Sequence, residues 1–183
     1  MRVLAVSLVS AAAITAIAAQ MTPAPGAPGK GAAAPYVSGE SVAAYVTKEP
    51  AGFRDWKWIA SAHEEGKLNS LGAVLGNSVA IKAYREKTIP FPDGTVLAAL
   101  HYSAVHSAEN DKIFGQPQSI VPGAPTNIQF MVKDSKKYAA TGGWGFGHFS
   151  PDGKPADGAF MKPCYPCHAQ FKAHDMVFTE YAP

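Results

Sequence analysis

The sequence predicts an α+β domain built mainly on an antiparallel β-sheet of about five strands, with short peripheral helices. Short runs that alternate apolar and polar residues, typical of half-buried strands, are separated by turn residues. No segment repeats with a period of about 20 to 50 residues, which excludes solenoids and propellers. The length of 183 residues and the 47% hydrophobic content fit a single globular domain.

The first 40 residues are expected to lie outside that domain. Arg2 precedes an apolar run, Val3 to Ile17, and small residues follow it, which is the pattern of a secretory signal peptide over residues 1–19. A membrane anchor is the alternative, but the run is short for a bilayer span and contains polar residues. Residues 20–40 are rich in Pro, Gly and Ala and predict a flexible tether. The domain is therefore assigned to residues 41–183 of an exported protein, periplasmic in a bacterium, with no membrane span in the mature chain.

The first half of the domain predicts two helices and two strands. Ser41–Val46 is interpreted as a short helix, and Phe53–Ala62 as a strand because its tryptophans stand at alternate positions. Leu71–Leu75 is a second apolar run that ends at a turn. Asn77 is expected to cap a helix over Ser78–Lys87, whose apolar residues share one face.

A turn at Pro90–Gly94 introduces the second half, because proline fixes φ and glycine admits positive φ. A long strand is expected over Thr95–Val105, followed by a polar loop around Glu109–Asp111. Asn127–Val132 is interpreted as another strand. Four acidic residues of the domain are expected to fall in predicted loops, namely Glu64, Glu65, Glu109 and Asp111.

The last predicted elements surround a glycine pair. Asp134 is expected to cap a short helix through Ala139, which ends at Gly142-Gly143. From Trp144 to Phe149, large residues alternate with glycine. One face of this strand would therefore carry the large side chains, while the other would let a neighbouring segment approach the backbone.

The charge distribution argues against nucleic-acid binding. Sixteen Lys and Arg residues against 14 Asp and Glu residues give a formal net charge of +2. No basic block is denser than the pair Lys136-Lys137, so the clustered positive charge of a nucleic-acid footprint is missing.

The two cysteines stand in a motif that carries chemistry. Cys164-Tyr165-Pro166-Cys167-His168 has the C-x-x-C-H spacing of a c-type haem attachment site. Two thiols at this spacing can form thioethers with the two vinyl groups on one edge of the porphyrin. The next residue, His168, can then present an imidazole nitrogen to the iron as proximal ligand. We therefore expect one covalently attached haem c on a short C-terminal attachment helix.

Three other uses of the two cysteines are weaker. A redox-active C-x-x-C normally opens a helix in a βαβ unit, and no such unit precedes this motif. A structural zinc site would need ligands from distant histidines. A disulfide would close so small a loop that little stability could follow.

The sixth iron ligand is left open by the sequence. Met131 and His101 lie on predicted strands that could form the distal wall, although Met131 also fits a core position and His101 a hydrogen-bonded one. Met161 and His174 are so close to the motif that we expect both on the proximal side. The remaining candidates are His63, His106, His148, Met21 and Met176.

Five segments, in the same order and spacing, resemble the cytochrome P-460 family and the related cytochromes c′-beta. They are Phe53–Ile59, Phe91–Thr95, Gly123–Ala139, Thr141–Phe149, and the C-x-x-C-H motif followed by Val177–Pro183. The resemblance, which spans Tyr45 to Pro183, implies a mainly antiparallel β domain with peripheral helices that is usually a homodimer. It also implies that Cys164 and Cys167 carry the haem and that His168 is the proximal ligand.

One position departs from the hydroxylamine-oxidising members of that family. Their haem is cross-linked to a lysine in the pattern Asp-Gly-Thr-x-x-x-Lys, and here Asp93-Gly94-Thr95 leads to Ala99. We therefore expect an ordinary c-type haem, as in the c′-beta relatives, which bind nitric oxide or carbon monoxide at a five-coordinate iron under an aromatic cap. The alternatives are a six-coordinate electron carrier with a distal Met and a redox partner protein, and an enzyme that oxidises hydroxylamine or a related nitrogen species.

Overall fold

The computed structural model describes residues 44–182. The predicted signal peptide, the tether and the first residues of the predicted Ser41–Val46 helix lie outside this range. Five strands form one antiparallel sheet in which spatial order follows chain order, so the predicted fold class is confirmed. The strands are β1 (Lys57–Glu64), β2 (Ser70–Gly76), β3 (Val96–His106), β4 (Ile120–Lys133) and β5 (Trp144–Phe149).

Short helices surround the sheet. The α-helices are α1 (Ser78–Glu86), α2 (Ala108–Phe114), α3 (Gly158–Met161) and α4 (Cys164–His168), and 3-10 helices occur at Phe53–Asp55, Ala139–Thr141 and Ala169–His174. Asn77 caps α1 as predicted, because its side-chain oxygen accepts a hydrogen bond of 2.9 Å from the Ala80 amide. None of the helices between residues 44 and 182 has the length and hydropathy of a membrane span.

The sheet has two faces, each with its own core. The register places Leu97, Met131 and Phe146 beside one another on β3, β4 and β5, and this side is called the front face. Their neighbours Ala98 and Phe130 point to the opposite side, the back face, because successive residues of a strand alternate.

The back face is covered by segments from outside the sheet. Phe53 packs edge-on against Phe130 at 5.0 Å between ring centroids. The glycines of β5 let two other segments approach the backbone, because an added Cβ would lie 2.3 Å from the Tyr138 ring at Gly145 and 3.0 Å from Val46 at Gly147. The alternation of large residues and glycine in β5 therefore has the predicted consequence.

The front face is covered by α1 and by the C-terminal segment. Ala80, Ile81 and Ala83 of α1 are buried in the same cluster as Leu97 and Phe146, and the cluster also contains Met176 and Val177. The Tyr84 hydroxyl donates to the Thr179 carbonyl at 3.0 Å, and the Ala182 amide donates to the Ile59 carbonyl at 3.0 Å. Long-range packing thus holds α4 and the residues after it against the front face.

Two sequence predictions near the start of the domain are corrected. The Ser41–Val46 helix does not extend to its predicted end, because Tyr45 forms a parallel bridge with Phe146 and Val46 donates to the Phe146 carbonyl at 2.7 Å. The strand predicted over Phe53–Ala62 begins only at Lys57. Gly52 has a φ of 69°, and the turn that it starts places Phe53 in the back-face core.

Three further corrections concern the second half. The polar loop predicted around Glu109–Asp111 is helix α2, whose N-cap Ser107 accepts from the Asn110 amide at 3.3 Å. Strand β4 begins at Ile120, seven residues before the predicted Asn127, because its first part pairs with the end of β3. The Asp134 side chain accepts from the amides of Lys136 and Lys137 in a turn, and only Ala139–Thr141 is helical.

Candidate functional site

The C-x-x-C-H residues form one short helix, α4, that packs on the front face. The Cys167 amide donates to the Pro163 carbonyl at 3.2 Å, which closes the first turn. Cys164 is half-buried against the front-face core, whereas Cys167 is exposed. Both thiols are free, so the side chains that a covalent cofactor would need stand unpaired within one turn of helix.

His168 is held in one orientation by its surroundings. Its ring lies 5.0 Å from the Phe146 ring and 4.7 Å from the Phe178 ring, measured between centroids. Its Nδ1 donates to the Met176 carbonyl at 2.7 Å. Because a carbonyl oxygen only accepts, Nδ1 carries the hydrogen and Nε2 keeps its lone pair. Burial lowers the pKa of His168, although the bond to Met176 acts in the opposite direction.

The environment of Cys164 differs from that of a redox-active thiol. Burial raises the pKa of Cys164, and the neighbouring Cys167 acts in the same direction. Reactive thiols of C-x-x-C oxidoreductases have a lowered pKa and stand in a βαβ unit, whereas the sheet here is antiparallel. Over the part of the chain that the structure describes, no cluster of three or more His, Cys, Asp and Glu side chains is arranged to hold a metal ion.

Met131 and His101 both lie on the front face. Met131 is half-buried and packs against the cluster that contains Phe146 and Cys164. His101 follows Leu97 and Ala99 on the same side of β3 and is buried. The structure therefore places both predicted distal residues on the face that α4 covers.

His101 belongs to a small polar group that the sequence did not indicate. Its Nδ1 is hydrogen-bonded to the Ser70 hydroxyl at 3.2 Å and lies 3.6 Å from Oε2 of Glu64. Glu64 is the last residue of β1 and does not lie in a loop as predicted. Burial lowers the pKa of His101, and Glu64 opposes this shift. Burial also lowers the pKa of His148, with a further contribution from the nearby His101.

The other candidate iron ligands are placed elsewhere or used differently. The Met176 side chain is buried in the core, and its backbone carbonyl is the partner of His168. His174 stacks on Phe171 with 4.2 Å between ring centroids, and His106 lies 3.3 Å from Asp111. Met21 lies outside the described residues. Of the remaining three, Met161 is buried and His63 is exposed. His148 lies on the front face, two residues after Phe146, and packs on Phe160.

The sheet separates the large aromatic residues into two groups. Phe91, Trp144 and Phe146 are buried in the front-face cluster. Phe130, Phe149 and Trp56 belong to the back face, and Trp58 and Phe114 are 46% and 53% exposed. Of these residues, the first group lies on the side that α4 covers, together with Phe178 beside His168.

Lys82, Lys112 and Lys133 do not take the place of the missing lysine at position 99. Ala99 lies on the front face, between Val74 and Gln129 in the register. Lys133, on the same face, is buried and paired with Asp175 at 2.8 Å. Lys82 pairs with Glu86 on α1, and Lys112 lies on α2.

Sequence reasoning missed the residues that hold His168. Neither the Met176 carbonyl nor the Lys133–Asp175 ion pair has a local signature, because 42 residues separate the two charges. The only signal available was the position of Met176 shortly after the motif, and it indicated the sulfur atom and not the carbonyl.

Two free thiols one turn apart, followed by an imidazole with a free Nε2, are the donor set of a c-type haem, so the residues present fit this cofactor. No curated protein matches the sequence. The family model for Cytochrome P460 matches residues 50–179, which include all five strands and the C-x-x-C-H motif. On this match, which covers more than half of the sequence, the chain belongs to the cytochrome P460 family, a family of haem proteins.

Proposed function

We propose that this protein is an exported mono-haem c-type cytochrome that binds small ligands such as nitric oxide or carbon monoxide. Cys164 and Cys167 would hold the haem through thioethers, and His168 would be the proximal ligand of its iron. The supporting observation is the 2.7 Å bond from His168 Nδ1 to the Met176 carbonyl, which leaves Nε2 free beside two unpaired thiols. The bound haem would supply an iron with one further coordination position for a small ligand.

The chain's own residues would select which ligands enter. The front-face core against which Met131 and Cys164 pack is apolar. Apolar surroundings disfavour charged species, because their desolvation is not compensated. Uncharged diatomic ligands would therefore be preferred over anions, while His101 on the same face offers a hydrogen-bonding group.

Ala99 argues against the cross-linked haem of the hydroxylamine-oxidising members. A methyl group at this front-face position has no amine to modify the porphyrin, and the buried lysine on that face is held by Asp175. Hydroxylamine oxidation is therefore the weaker alternative.

The position of Met131 favours a second candidate, a six-coordinate electron carrier. Met131 is half-buried on the front face and packs against the same cluster as Cys164. If its sulfur occupied the sixth position, the iron would be closed to gases and its potential would rise. A protein redox partner would then be required.

The resemblance to the cytochrome P-460 family supports a homodimer, and the predicted signal peptide supports a periplasmic location. Periplasmic and cytoplasmic fractions are assayed separately for the protein, and the purified protein is examined by size-exclusion chromatography with light scattering. Protein confined to the cytoplasmic fraction would contradict the location, and a monomer would contradict the dimer.

Haem content in cysteine and histidine variants tests the attachment. The protein is expressed with a c-type haem maturation system, and intact mass and haem staining on a denaturing gel are measured. Cys167→Ala should leave one thioether or apoprotein, and the double cysteine variant should lose all covalent haem.

His168→Ala should change the iron coordination, whereas His174→Ala, six residues further on and stacked on Phe171, serves as the matched histidine control. Unchanged covalent haem in Cys167→Ala, or an unchanged absorption spectrum in His168→Ala, would contradict the proposal.

A further inference from the structure

The acceptor that orients His168 lies in a backbone segment of unusual conformation. Asp175 and Met176 both have positive φ, at 50° and 66°. This left-handed region is disfavoured for residues that carry a Cβ, so two such residues in succession persist only when the surrounding structure holds them. What fixes Asp175 and Met176 also fixes the carbonyl that His168 contacts.

A buried ion pair holds Asp175. Lys133 Nζ donates to both carboxylate oxygens at 2.8 and 2.9 Å, and the Phe91 amide donates to Oδ2 at 2.8 Å. The side chains of Lys133 and Asp175 are only 7% and 9% exposed. The same ammonium group donates to the Gly142 carbonyl at 3.2 Å and lies 4.9 Å from the centre of the Trp144 ring.

Gly142 also contacts Met176 directly. An added Cβ at Gly142 would lie 2.1 Å from the terminal methyl carbon of Met176, so the buried methionine side chain rests on the glycine. Lys133, Gly142, Asp175 and Met176 therefore form one unit, called here the proximal clamp. It joins the end of β4 to the residues that follow the haem-attachment motif.

We propose that the Lys133–Asp175 pair of the proximal clamp is a positioning device that holds the Met176 carbonyl against His168 Nδ1 and so sets the donor strength of Nε2. The inference rests on the proposed role of His168 as iron ligand. A hydrogen bond accepted from the far nitrogen raises the basicity of a ligating imidazole and fixes its orientation. A weaker bond makes Nε2 a poorer donor, which favours the ferrous over the ferric state.

The test uses the haem-loaded double variant Lys133→Met/Asp175→Asn. It removes both charges together, so neither is left buried without its partner. Loss of such an outer-shell contact typically changes a metal site by about tenfold or more. We expect the ferrous-to-ferric equilibrium to shift about tenfold toward the ferrous state, which for one electron is about 59 mV in reduction potential. The exchangeable Nδ1 proton of the axial histidine, observed by paramagnetic NMR, should exchange faster with solvent.

Two further variants keep the test decisive. Ile128→Ala removes a buried side chain from the back face and lowers stability without touching the clamp, so its potential should equal that of the wild type. Asp175→Glu, which keeps both charges but lengthens the carboxylate side chain and so changes the geometry of the pair, gives the same readouts if the double variant does not fold.

The two possible failures are distinguishable. If the wild-type protein shows no axial imidazole proton signal that is lost in His168→Ala, the ligand assignment and the inference are both refuted. If the wild type shows that signal, but the clamp variants keep the wild-type reduction potential and proton exchange rate, only the inference is refuted.

Discussion

The contact between Gly142 and Met176 predicts that Gly142→Ala destabilises the protein by more than its backbone conformation alone requires. Gly142 has a φ of 67°, and a residue with a Cβ pays about 1 to 2 kcal/mol to adopt the left-handed region. The new methyl group would also lie 2.1 Å from the buried Met176 methyl. Overpacking of this kind costs about 1 to 3 kcal/mol. Because that methyl is the flexible end of its side chain, we expect the lower part of the combined range, about 2 to 3 kcal/mol.

Gly115→Ala is the matched control. Its φ is 74°, and a Cβ added there meets nothing within 4 Å, so only the backbone cost of about 1 to 2 kcal/mol applies. The free energy of unfolding is measured by urea denaturation followed by circular dichroism. Adding Met176→Ala to Gly142→Ala should remove the steric overlap between the new methyl group and the Met176 side chain. If Gly142→Ala costs no more than Gly115→Ala, the packing argument for the proximal clamp is wrong.

Three further predictions concern the front face. Met131→Ala should leave the absorption spectrum of the ferrous protein unchanged, and a conversion from low spin to high spin would favour the electron carrier. Ala99→Lys should place an amine in the cross-linking position of the resembled family and give a lysine–haem adduct in peptide mass mapping. If no adduct forms, the match of Asp93-Gly94-Thr95 to the Asp-Gly-Thr-x-x-x-Lys pattern is contradicted. His101→Gln should weaken the pH dependence of stability. Because burial lowers the pKa of His101, the unfolded chain binds the proton more readily, and stability falls as the pH drops below about 6.5. The free energy of unfolding is compared at about pH 7.5 and pH 5.5. An equal decrease in the variant and the wild type would contradict this role of His101.

Local patterns in the sequence were sufficient to predict the sheet and the attachment motif. Alternation predicted β5 and the close approach of other segments to its glycines, and Asn77 marked the start of α1. Helix α2 was missed because seven mainly polar residues without a buried face resemble a loop. The first part of β4 was missed because Pro122 and Pro125 do not predict a strand, although its pairing with β3 overrides that preference.

The candidate site was only partly accessible from sequence for a different reason. The C-x-x-C-H spacing identifies the motif residues directly, and the alternation of apolar and polar residues assigned Met131 and His101 to strands. The partners of those residues depend on tertiary contacts. The bond from His168 to Met176 requires the left-handed turn at Asp175, and that turn requires Lys133 from another element. Likewise, Glu64 meets His101 only through the pairing of β1, β2 and β3.

The absorption spectrum of the purified, dithionite-reduced protein before and after addition of carbon monoxide tests the central claim most directly. It reports on the attached haem and on the coordination of its iron in one experiment. We expect a broad high-spin ferrous spectrum that sharpens and shifts with the gas, because in the proposed function His168 would occupy one axial position and the other would be open. Sharp low-spin bands that do not respond to carbon monoxide would contradict ligand binding as the function and would assign the sixth position to a residue of the protein.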